Sequence, residues 1–114
     1  SRSLMLFLSS LILVLSLFSC KVLSHSQYDS LHEIDEAINN VEVIVSNQQL
    51  SLSGAISLSI LYYIRDDQFM QGGSWQALYY VIKALSLLKN ETDPSINRRN
   101  LHYALFMHQQ KLLN

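Results

Sequence analysis

Read for hydrophobic and polar positions, the chain beyond residue 26 divides into four segments separated by polar breaks. In the first, Leu31, Ile34, Ile38, Val41 and Val45 recur at alternating steps of three and four. His32, Glu33, Asp35, Glu36 and Glu42 fall between them. That spacing lines one face of a helix. Ser30, with Glu33 three residues on, forms a capping box, so the predicted helix runs from Ser30 to Asn47.

The second segment supports two readings. "LSLSGAISLSI", residues 50–60, alternates apolar residues with serine, the pattern of paired strands around a Ser-Gly turn. Joined to the β-branched run Val41 to Val45, it gives an α+β fold with a short meander over residues 41–64. Leu52, Ile56, Ile60 and Tyr63 also make a helical stripe, with Ser53 as its cap. The unbroken apolar run after Ser59 favours that second reading, a helix from Ser53 to Asp67.

Gln68 to Gly73 reads as a connection. Ser74 is the expected N-cap of a third helix, with Trp75, Leu78, Ile82 and Leu85 as its apolar stripe and Lys89 at its negative C-terminal end. "NETDPS" breaks that helix. Asp93 and Pro94 supply a cap and a first-turn proline for a fourth, whose stripe is Leu101, Leu105, His108 and Leu112. The expected fold is all-α: a small four-helix antiparallel bundle. Arg98, Arg99 and Lys111 make the last helix basic where the first is acidic, a complementarity that would let the two neighbour each other, though surface pairs add little stability.

Tyr62-Tyr63 and Tyr79-Tyr80 stand symmetrically about Gln71. A reversal at Gly72-Gly73 sets both pairs at one height, about 13 Å from the bend at 1.5 Å per residue. There the rings fill the space between helices.

Residues 1–26 are of another kind. Arg2 precedes an apolar run, Leu4 to Phe18, interrupted only by serines, and small residues follow near Ser24 and Ser26. This is the layout of a secretory signal. The alternative is a retained anchor, although the run is shorter than the roughly 20 residues of a spanning helix. The domain division is therefore a leader, residues 1–26, and a helical domain, residues 27–114. Without Arg2 and Lys21, the chain's eight basic residues become six against nine acidic, a net charge of −3. That balance excludes a nucleic-acid partner. Cys20 is the only cysteine, so no disulfide forms within the chain, and the core must be apolar and dense.

The residues offer little chemistry. There is no nucleophile elbow or phosphate loop, and the histidines lack metal-ligand spacing, so no catalytic residue, metal or cofactor is assigned. Asn90-Glu91-Thr92 is an N-glycosylation acceptor pattern with Asn90 as the sugar site. The expectation is a secreted, non-catalytic helical binding protein of ligand, effector or inhibitor type. Trp75, Tyr62, Tyr63, Tyr79 and Tyr80 are its candidate contacts with a protein partner or a small apolar ligand. Two alternatives stand beside it. One is a single-pass membrane accessory subunit, with membrane contact only if the leader is retained. The other is an extracellular carrier of a small apolar ligand.

Overall fold

The computed structural model describes residues 25–114. The leader, up to residue 24, and Cys20 lie outside the described residues. Four helices follow one another: α1 (His25–Asn47), α2 (Leu52–Phe69), α3 (Ser74–Lys89) and α4 (Arg98–Leu113). The protein is an all-α four-helix bundle. Among the described residues there is no strand, so the meander over residues 41–64 is not formed. The β-branched run Val41 to Val45 lies inside α1. There Val41 and Val45 are half-buried against the core around Ile38, Leu58, Tyr62 and Ala77. Tertiary burial of one helical face outweighs local strand preference.

The helix ends differ in detail from expectation. α1 is already helical at His25, so Ser30 and Glu33 are interior residues and form no capping box. α2 starts at Leu52, one residue before Ser53. Ser51 is the cap, and its Oγ accepts a 3.0 Å hydrogen bond from the Gly54 N–H. α2 ends at Met70 in the left-handed conformation, φ 54°, with N–H groups of Met70 and Gln71 donating back to Asp66 and Arg65 carbonyls. That closure satisfies carbonyls that a helix end otherwise leaves free. Gly73 rather than Ser74 is the N-cap of α3 and supplies no side-chain bond. Asn97 rather than Asp93 caps α4, accepting from the Asn100 N–H at 3.1 Å. Asp93 instead accepts from the Ser95 N–H and hydroxyl, which organises the preceding turn and holds its carboxyl below the usual range.

Each helix packs on its neighbour in chain order: α1 on α2, α2 on α3, α3 on α4. Among the described residues α1 and α4 do not pack together, so their charge complementarity goes unused. Asp35 and Glu42 of α1 turn to α2 instead. Arg65 Nε donates to Asp35 at 2.9 Å, and the Tyr62 hydroxyl donates to Glu42 at 2.8 Å.

The buried faces of α2 and α3 are not the expected stripes. In α2, Ala55, Leu58, Ser59, Tyr62 and Phe69 are buried, while Ile60 is exposed. In α3 the buried set is Ala77, Val81, Ala84 and Leu88, while Trp75 and Ile82 face outward. Small residues explain the rotation. Ala55, Ala77 and Ala84 are fully buried and let the backbones approach closely, so larger apolar residues are left on the outer faces. On α4 the stripe is as expected: Leu105 is buried, and Leu101, His108 and Leu112 are half-buried.

Candidate functional site

The tyrosine pairs do not act as pairs. Consecutive residues on a helix point about 100° apart, so only one of each pair can face the α2–α3 seam. Tyr62 and Tyr80 do so, stacked with ring centroids 6.1 Å apart and planes 7° from parallel. The expected level pairing thus holds for these two. Tyr62 is buried at 9 % exposure, and its phenol is held far above the usual range by burial, then by the hydrogen bond to and charge of Glu42. The Tyr80 phenol is raised by burial and by the Glu42 charge. These two rings serve the α2–α3 seam, Tyr62 buried and Tyr80 half-buried.

Tyr63 turns toward α4. Its ring meets His108 edge to face at 5.4 Å, and Lys111 Nζ lies 4.8 Å from its centroid. Here a polar link appears that sequence reasoning missed. Ser59 is fully buried in α2. Its hydroxyl donates to the Ala77 carbonyl at 2.7 Å and lies 3.1 Å from His108 Nε2. With its hydroxyl proton given to Ala77, Ser59 Oγ accepts from the N–H of a neutral His108 carrying its proton on Nε2. Burial, and then the Lys111 charge, lower the His108 pKa. The Ser–His pair resembles a nucleophile and its base only in distance. A serine with no exposed surface cannot reach a substrate, so the contact ties α2, α3 and α4 together. The only signal in the sequence was a serine and a histidine falling on apolar faces.

Trp75 and Tyr79 are the exposed members of the predicted set, while Tyr63 and Tyr80 are half-buried. Trp75 is 81 % exposed and Tyr79 53 % exposed. Together with Ile82, 47 % exposed, they follow at four and three residues along the outer face of α3. Tyr79 is held from both sides: its ring meets Tyr80 edge to face at 5.0 Å, and Lys83 Nζ sits 5.5 Å from its centroid. The stripe is therefore apolar, exposed and partly pre-positioned, beginning two residues after Gly73.

Asn90 is exposed immediately after α3. No group of three His, Cys, Asp or Glu among the described residues could hold a metal ion. No described helix is long and apolar enough to cross a membrane. No protein-family model, curated protein or solved structure matches the chain.

Proposed function

We propose that the chain is a secreted, non-catalytic binding protein that docks a protein partner through Trp75, Tyr79 and Ile82 on α3. The supporting observation is the exposure of Trp75 and Tyr79 while Tyr62 and Tyr80 are used inside the bundle. Large apolar side chains displayed in a row on a rigid helix have no role in the core. Trp and Tyr are also the residues that dominate binding energy at protein interfaces. A leader removed near His25 to Gln27 brings the domain outside the cell, where Asn90 in its exposed position carries a sugar.

Trp75 is the single tryptophan, so its emission reports the stripe directly. A photoreactive phenylalanine analogue at position 79 is expected to cross-link a partner from extracellular fluid of the source. The same probe at exposed Gln110 on α4 is expected to give no such product. Unlabelled protein should compete, the Trp75→Ala/Tyr79→Ala variant should not, and the Trp75 emission should shift to the blue on binding the captured partner. Equal products from both positions, or equal competition by the double variant, would remove the α3 stripe as the docking face. Sequencing of the mature N-terminus tests secretion separately: a start within residues 25–27 agrees with export, and an intact leader contradicts it.

A further inference from the structure

The corner between α3 and α4 gathers positive charge. Lys89, Arg98, Arg99 and His102, with the buried Leu88 beneath, line a cavity of about 350 Å³. Among the described residues, the ion pairs use His25, His32 and Arg65, and none uses Lys89, Arg98 or Arg99. Arg98 Nη2 donates to the Lys89 carbonyl at 2.9 Å, which leaves most of its donors free. Arg98 and Arg99 also stand in the first turn of α4, where the helix dipole favours acidic residues and opposes cations. The position is thus electrostatically costly on two counts, mutual repulsion and the dipole, and an anion relieves both.

Arg99 and His102 also line a second cavity, of about 530 Å³, whose other described walls are Asn100, Tyr103, Phe106 and Met107. Arg99, His102, Tyr103 and Phe106 follow at three, four and seven residues along one face of α4. That face passes from cationic to apolar over about 10 Å. Tyr103, Phe106 and Met107 are all exposed, and Phe106 stacks parallel to His102 at 6.5 Å. Methionine gives such a wall an adaptable surface. Both are clefts open to solvent, and the described walls of the second come from α4 alone, which suits a ligand laid along the helix.

We infer that α4 binds a single-chain anionic amphiphile, its acidic head among Lys89, Arg98 and Arg99 and its apolar tail along Tyr103, Phe106 and Met107. Charge complementarity fixes the head, and Arg99 and His102, which line both clefts, set the direction of the tail along α4. The site is separate from the α3 stripe and does not depend on the docking reading.

The test is an NMR titration of ¹⁵N-labelled protein. The probes are monododecyl phosphate below its micelle concentration, inorganic phosphate and dodecyl maltoside. Saturable shifts are expected for Lys89 and for residues 98–107, with monododecyl phosphate at least about 10-fold tighter than either comparator. Arg99→Glu should weaken it about 10-fold. Phe106→Ser, at an exposed position, should weaken it similarly while leaving inorganic phosphate binding unchanged. Trp75→Ala/Tyr79→Ala should leave the titration unaltered, so that failure at α4 and failure at α3 are told apart.

Several results would overturn the assignment. Equal affinity for inorganic phosphate means a plain anion site. Equal affinity for dodecyl maltoside, or no effect of Arg99→Glu, means an apolar surface without head recognition. Co-sedimentation with vesicles of phosphatidylcholine and phosphatidylglycerol, without monomer binding, means a membrane-surface contact.

Discussion

Replacing each glycine of the reversal by alanine separates the two positions sharply. Gly72 has φ +81°, and an added Cβ there meets nothing within 4 Å. The left-handed conformation costs an ordinary residue about 1–2 kcal/mol. Lost freedom of the unfolded chain returns about 0.4–1 kcal/mol. Gly72→Ala is therefore expected to cost about 0–1.5 kcal/mol. Gly73 has φ +135°, and its Cβ would lie 2.6 Å from the Tyr62 carbonyl oxygen and 3.2 Å from the Tyr62 ring. The conformation costs about 1–3 kcal/mol. The steric conflict involves backbone inside α2 rather than a flexible side-chain end, and adds about 1–3 kcal/mol. With the same unfolded-state return, Gly73→Ala is expected to cost about 1–5 kcal/mol, a large share of a small domain's stability. At about 4–8 °C per kcal/mol for a domain of this size, a separation near 2 kcal/mol is about 8–16 °C in Tm. Thermal denaturation followed by circular dichroism at 222 nm reads it. A Gly73→Ala variant as stable as Gly72→Ala would refute the reasoning, because it would mean that α3 does not enter against Tyr62 as described.

The burial of His108, with Lys111 nearby, predicts an acid-sensitive fold. The His108 pKa is lowered in the folded state, so the unfolded chain binds the proton first. Stability is then full above about pH 6.5, the unfolded value. It falls as pH drops below that value and through the lower folded pKa. Urea denaturation at a series of pH values should show this, and His108→Gln should flatten the profile below about pH 6.5. Tyr62→Phe deletes the 2.8 Å bond to Glu42 but keeps the stacked ring. It is expected to cost about 1–2 kcal/mol, measured by urea denaturation at pH 7. A neutral result would mean that water serves Glu42 equally well.

The helix count was legible because each segment carries a clear polar break, and because α1 and α4 have contrasting faces. Ile38 and Leu105 went where their spacing placed them. α2 and α3 were harder because their apolar residues are spread around the helix, in α2 alternating with serines, so periodicity alone leaves their rotation open. Ala55, Ala77 and Ala84 decided it. A pattern that weighs residues by size points the larger Trp75 and Ile82 inward, whereas close packing prefers the alanines. The same rotation divided the tyrosines, sending Tyr62 and Tyr80 to the seam and Tyr79 to solvent. The charge complementarity of α1 and α4 did not bring them together. Exposed charge pairs contribute too little to set topology, and helices joined by short connections dock on their neighbours.

Packing in chain order also bears on how the molecule assembles. Nearly all helix partners are adjacent in sequence, which lowers contact order and favours rapid folding. Each helix can settle on its predecessor as the polypeptide emerges, with no strand or distant segment awaited. The C-terminal helix also reaches past α3: His108 meets Ser59, 49 positions back, and Lys111 lies over the Tyr63 ring, so the far end of the bundle is closed by pairings distant in sequence.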